Sequence, residues 1–240
     1  MNASCDDVLC GKLRILQPID GPRVNMDTIL LYSWVKFRSG HTRFLEAGCA
    51  SGAIALMLAA KFTNIHVTGI DIQEELITLA KINAKNNNLD DRVDFIAGDL
   101  RDKTLLTQGY YDSLVINPPY ESLYRSRESN NLSRSTARLD LSCTPDDAAN
   151  LAKRVLKSRG RLFAIFTSQR LDVFMNAMSH NKLTPKRLRL VYPDINNNSG
   201  VFLIECVKDG GEGLIILPPL IIRDENNNYT HELMQIYSLD

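Results

Sequence analysis

From Thr42 onward the chain alternates between two hydrophobic rhythms. Short runs such as Thr42-Arg43-Phe44-Leu45-Glu46 and Tyr111-Asp112-Ser113-Leu114-Val115-Ile116 have the length and the β-branched or aromatic content of strands. Between them lie longer segments whose apolar residues fall on one helical face, as Leu76, Ile77, Leu79, Ala80 and Ile82 do. The pattern predicts strands over 42–46, 65–70, 92–97, 111–116 and 160–167 and helices over 52–62, 74–86, 145–157 and 168–179. Thr144 is placed to cap the third of these helices, with Pro145 at its first position. Two closing strands, 186–191 and 201–207, are joined by the polar turn at 196–200. Alternation of this kind gives an α/β fold with a doubly wound, mostly parallel sheet. The seven strands include an antiparallel final one, because too few residues separate the last two for a crossover.

Two segments fall outside that alternation. Residues 1–41 precede the sheet, and Asp27 to Phe37 (DTILLYSWVKF) has helical periodicity. This N-terminal extension is expected to pack over the binding crevice. Glu121 to Ser142 has no periodicity and directly follows Asn117-Pro118-Pro119-Tyr120. A long loop in a compact domain is usually functional, so 118–142 reads as a substrate loop. The 240 residues are read as a single domain with no internal repeat.

Composition narrows the class. Hydrophobic content of 44% with 23% charged residues is that of a globular protein without a membrane span. Met1 to Lys12 has no apolar stretch of the signal-peptide kind. The five cysteines, Cys5, Cys10, Cys49, Cys143 and Cys206, are scattered and form no C-x-x-C pair. No metal site or disulfide framework is expected, and a cytoplasmic setting fits. Net charge is zero, which by itself argues against a strongly nucleic-acid-binding protein. The bases are unevenly placed, however. From Arg125 to Arg161 the bases Arg125, Arg127, Arg134, Arg138, Lys153, Arg154, Lys157, Arg159 and Arg161 outnumber the acids Glu128, Asp140, Asp146 and Asp147, and Lys182, Lys186, Arg187 and Arg189 form a second cluster. Each cluster is either a solvated face or a nucleic-acid patch.

Candidate chemistry collects at the strand ends. Pro118 and Pro119 stop the ladder, so the chain leaves the sheet at Asn117. In open α/β sheets ligands bind at this edge. An amide, a fixed carbonyl and an aromatic ring there suit the holding of a planar conjugated amino group, although a proline turn with a capping Asn reads equally well. Glu46-Ala47-Gly48-Cys49-Ala50-Ser51-Gly52 lets a backbone turn approach an anion or cofactor. As G-x-G-x-x-G it gives Gly48, Ala50 and Ala53, a poor nicotinamide signature. Glu46, Asp71, Asp99 and Asn117 end successive strands and would line one crevice.

This set resembles the S-adenosylmethionine site of the Rossmann-like class I methyltransferases. The resemblance implies that Gly48 and Gly52 hold the methionine part, Asp71 and Ile72 the ribose side, and Asp99 and Leu100 the adenine, with Glu46 and Asn117 completing the pocket. Ala50 departs from the usual glycine. Asn117-Pro118-Pro119-Tyr120 is similar to the motif of the amino-methylating branch. There Asn117 and the Pro118 carbonyl would accept the N–H hydrogens of the target nitrogen while Tyr120 stacks on the substrate. Gln17-Pro18, Gly21-Pro22-Arg23 with Asp27, Ala137-Arg138-Leu139-Asp140, Pro218-Pro219-Leu220 and Tyr229-Thr230-His231-Glu232 resemble, in order, motifs of the bacterial valine-tRNA adenine-N6-methyltransferase family. Leu139 replaces a usual histidine. The resemblance implies S-adenosylmethionine as cofactor and RNA, in particular tRNA, as partner, with Arg125, Arg127, Arg134 and Arg138 as candidate phosphate contacts. Protein glutamine N5-methylation and a non-catalytic RNA-binding module are the other readings.

Overall fold

The computed structural model describes residues 2–118 and 143–237. A hairpin, β1 (Ala3–Val8) and β2 (Leu13–Pro18), leads into helix α1 (Met26–Trp34). Then come β3 (Arg43–Ala47), α2 (Ala53–Lys61), β4 (His66–Asp71), α3 (Glu74–Asn86), β5 (Val93–Ala97) and β6 (Tyr111–Ile116). After the undescribed stretch follow α4 (Pro145–Val155), β7 (Leu156–Thr167), α5 (Leu171–His180), β8 (Leu183–Tyr192) and β9 (Val201–Lys208). Two short strands, β10 (Ile215–Ile216) and β11 (Leu220–Ile221), and helix α6 (His231–Tyr237) close the chain.

The main sheet runs β8-β9-β7-β6-β3-β4-β5, with β10 and β11 both pairing along the outer side of β8. All pairings are parallel except those of β9, which is antiparallel to both β7 and β8. The seven expected strands are all present, and β10 and β11 extend the sheet to nine. Strand order reverses between β3 and β6, which makes the loops after those two strands the walls of the ligand crevice.

Side chains alternate between two cores. On β7, Phe163 and Ile165 enter the core formed with α1, α2, α3 and the hairpin. Leu162, Ala164 and Phe166 enter the core formed with α4 and α5. Phe166, Phe174 and Phe202 make an aromatic cluster in the second core, with centroids 4.9 to 6.3 Å apart. Thr144 caps α4 as expected, in a reciprocal box with Asp147.

The main departures have local causes. The N-terminal hairpin lies outside the predicted elements, although buried Leu13, Ile15 and Gln17 alternate with more exposed neighbours as one-sided strands do. Strand β7 begins at Leu156, four residues before the expected 160, because α4 passes straight into extended backbone at that residue. Helix α1 buries Ile29, Leu30, Leu31, Tyr32 and Trp34 against α2, α6, β7 and β9. The Lys182–Arg189 cluster is largely committed to holding the C-terminal segment. The Lys186 ammonium bonds the carbonyls of Gly211 and Glu212, and Arg189 bonds Pro218 O and the Glu232 carboxylate.

Candidate active site

Register brings the expected strand ends into one row. Ala47 of β3 lies opposite Ile70 of β4 and Ile116 of β6, and Ile70 lies opposite Ile96 of β5. The residues that follow, Gly48, Asp71, Ala97-Gly98 and Asn117, therefore leave the sheet side by side. Pro118 is buried and Asn117 half-buried. Tyr120, Arg125, Arg127, Arg134 and Arg138 lie outside the described residues.

The turn after β3 is built from left-handed residues: Gly48 at φ 72°, Ala50 at φ 46° and Gly52 at φ 82°. A Cβ on Gly52 would stand 2.5 Å from the Phe95 ring, so only glycine fits there. A Cβ on Gly48 would meet nothing within 4 Å, so its peptide surface is open to a ligand. The Gly48 and Cys49 N–H groups donate to Ile70 O at 2.8 and 3.1 Å, which ties the turn to the end of β4.

Asp71 anchors the same turn. Its Oδ2 accepts the Ala50 N–H and its Oδ1 the Gln73 N–H, each at 2.9 Å. A carboxylate has about four lone-pair positions, so Asp71 can buttress the turn and still accept ribose hydroxyls. Ile72 beside it is 43% exposed and offers an apolar surface to a planar group. Ala50 holds the left-handed conformation at a cost that glycine would avoid. Ala50→Gly is expected to raise stability by on the order of 1 kcal/mol, measured as a shift in the urea midpoint at unchanged slope.

Glu46 has a role that sequence reasoning missed. Helix α2 has no side-chain cap at Gly52, and the buried Glu46 Oε2 instead accepts the Ala55 N–H at 2.8 Å. It serves as a cap supplied from the preceding strand, two residues before the Gly48 turn begins. Burial pushes the Glu46 carboxyl well above its ordinary value of 4.5. Because the folded state then holds this proton more tightly than the unfolded chain, Glu46 ionisation lowers stability as pH rises from about 4.5 toward the folded-state value. Glu46→Gln keeps the acceptor and cannot ionise, so that decline should vanish from a thermal-unfolding series taken across pH.

Asp99 and Leu100 are placed at the crevice with other partners already in hand. The Arg101 guanidinium grips Asp99 with bonds of 2.6 to 2.9 Å and holds its carboxyl below the usual range. Leu100 O accepts from Arg154 at 2.7 Å, and its side chain packs on the second core. Asp99 can meet an adenine amino group only through the lone pairs that Arg101 leaves.

Asn83, fully buried in α3, joins the turn to the N-terminal hairpin. Its Nδ2 donates to Ser51 O and Leu16 O, and its Oδ1 accepts the Leu16 N–H, at 2.7 to 3.0 Å. The one available signal was an amide in a helix interior flanked by apolar positions. The hairpin is itself clasped. Gln17 donates to Asp6 and accepts from the Val24 N–H, while Arg23 bonds Asp6, Ser4 and Pro18 O. The Gln17 and Arg23 motif is thus structural.

The fold and this row of strand ends define a Rossmann-like class I methyltransferase. The methyltransferase domain family matches residues 38–231. Three bacterial relatives are each described as tRNA1(Val) (adenine(37)-N6)-methyltransferase. That of Mannheimia succiniciproducens is 31% identical over 60% of this chain and 58% of its own. That of Porphyromonas gingivalis is 30% identical over 69% of this chain and 67% of its own. That of Dickeya chrysanthemi is 26% identical over 87% and 83%. A predicted O-methyltransferase of Agrobacterium tumefaciens superimposes with a TM-score of 0.70 at 19% identity, over 88% of this chain and 95% of that one. The chain belongs to the S-adenosylmethionine-dependent methyltransferases and, among them, to the bacterial valine-tRNA adenine-N6-methyltransferase family.

Proposed function

We propose that the chain transfers a methyl group from S-adenosylmethionine to the N6 amino group of an adenine in tRNA, in the cytoplasm. The observation that carries this reading is the alignment of Gly48, Asp71 and Asn117 along one edge, on both sides of the point where strand order reverses. The residues present fit the cofactor. Gly48 and Gly52 give a turn open to the methionine part, Asp71 keeps acceptor capacity for the ribose, and Ile72 gives the adenine an apolar face. Asp99 and Leu100 would flank that ring.

When bound, the cofactor supplies an electrophilic methyl group on sulfur. The chain's task is to prepare the nitrogen. An adenine amino group is a weak nucleophile because its lone pair is delocalised into the ring. Asn117 Oδ1 and the Pro118 carbonyl would accept hydrogen bonds from its two N–H groups, draw the nitrogen toward tetrahedral geometry and aim its lone pair, and one of the two protons is released to solvent once the nitrogen carries the methyl group. Tyr120 stacks on the base, a contact worth about 1–3 kcal/mol. Most of the acceleration comes from position. An adenine within a helix must first flip out. Arg125, Arg127, Arg134 and Arg138 contact the RNA backbone.

A glutamine amide would satisfy the same acceptors, so the deciding experiment offers both substrates. Labelled S-adenosylmethionine is incubated with the protein and with total RNA or total protein from cells lacking it. Label in tRNA, recovered as N6-methyladenosine, is the expected result. Label in protein alone would replace it with the glutamine reading, and label in neither would leave the binding-module reading.

A further inference from the structure

At the far end of the sheet from the catalytic edge lies a second feature that the methyl-transfer reading does not use. A cavity of about 370 Å³ opens there, lined by Arg38, Arg159, Arg161, Lys186 and Arg187 with Glu205 as its one acidic side chain. Its floor is the face of β7, β9 and β8 that also carries α1. Arg161 is in register with Ser113, four residues before Asn117 on the neighbouring strand. That places it ~13 Å back along the strands, with β9 and β8 farther to the side.

The charges do not balance. Glu205 is buried at 1% exposure and is shared by Arg161 and Arg187. The Arg187 guanidinium also stacks on Trp34, 4.0 Å from its centroid. Among the described residues, Lys186 and Arg159 bond only neutral carbonyls, those of Gly211, Glu212 and Asp209. Arg38 is exposed just beyond the end of α1 and shows no ion pair among the described residues. Five cations thus surround one carboxylate, in a chain whose net charge is zero. Burial and the neighbouring Arg38, Arg187 and Arg159 depress the Arg161 guanidinium to about 10. Assembling this many like charges is unfavourable unless an anion offsets them. Guanidinium forks match phosphate oxygens, and the volume lies within the range of ligand pockets.

We propose that this cavity is an anion site that takes a phosphate group, remote from the adenine that is methylated. The group comes either from the backbone of a bound RNA or from a free phosphate compound. The site itself does not depend on the proposed reaction, and only its RNA source does.

The test uses the full chain and the double variant Arg38→Gln, Arg159→Gln, which leaves the Arg161–Glu205–Arg187 network intact. In the first arm, thermal unfolding is followed against inorganic phosphate with chloride adjusted to constant ionic strength. Phosphate should raise the midpoint of the parent, and the variant should lose most of that rise. In the second arm, tRNA affinity is measured against salt. If the site takes backbone phosphates, the slope for the variant flattens by about one unit per lost contact. A change in the first arm with an unchanged slope assigns the site to a free phosphate compound. S-adenosylmethionine affinity should stay the same, which separates this result from a failure of the methyltransferase reading. Should the double variant fold poorly, Arg38→Glu alone reverses one exposed charge and must show the same direction. Identical behaviour of parent and variants in both arms overturns the proposal.

Discussion

Asn117→Ala is expected to lower kcat by roughly 10²–10³-fold, the usual loss when one preorganised transition-state contact is removed. S-adenosylmethionine affinity should be nearly unchanged. The distinction follows from where Asn117 stands. It leaves β6 beside Gly48 yet, among the described residues, makes none of the bonds that shape the 48–52 turn, which come from Ile70 and Asp71. An interaction made only as the nitrogen becomes tetrahedral appears in kcat and not in ground-state binding. Single-turnover kinetics with saturating cofactor, beside calorimetry for binding, reads both quantities. Equal losses in the two would move Asn117 from the nucleophile to the cofactor pocket.

Asp71→Ala should have the opposite signature. Losing a hydrogen bond to a charged group costs about 1.5–3 kcal/mol, a drop in cofactor affinity of roughly 10–150-fold. The loss should lie at the upper end, because the same carboxylate fixes the Ala50 N–H while Ala50 sits at φ 46°. Without that acceptor the turn is free to relax away from its binding shape. Asp71→Asn keeps one acceptor oxygen and should fall between the two. Calorimetry on folded Asp71→Ala that returned the parental affinity would remove Asp71 from the site.

The contrast between these residues separates what is legible in the amino-acid sequence from what is not. Strand ends and their order were legible because apolar runs of fixed length, each followed by Gly, Asp or Asn-Pro, are set by local chemistry. Tyr111–Ile116 and Glu74–Asn86 agree to the residue with β6 and α3. The roles of individual side chains at those ends were less legible, because a carboxylate can be spent inside the protein. Glu46 is committed to the Ala55 N–H and Asp99 to Arg101, and neither partner could be named from spacing. The basic cluster of β8 shows the same commitment, since Arg187 meets buried Glu205 and Arg189 pairs with Glu232 across the C-terminal segment. The terminal motifs prove to be clasps. Thr230 Oγ1 bonds Ile221 O and accepts the Leu233 N–H, so it caps α6 while fastening it to β11.

With the cofactor held at the 48–52 turn as proposed, the Asn83 bridge would make the N-terminal hairpin its thermodynamic partner. One amide side chain holds Leu16 on one side and Ser51 on the other. Any ligand that tightens the turn around Ser51 must, by reciprocity, tighten the attachment of β2. Amide exchange at Leu16 should therefore slow when S-adenosylmethionine is added, although Leu16 lies outside the set of residues that would touch it. A chain trimmed to begin at residue 19 would keep α1 and every strand end of the crevice and lose the strap behind it. Such a fragment should bind the cofactor more weakly than the full chain, and asparagine replaced by alanine at position 83 should reproduce much of that deficit without removing a single residue of the hairpin.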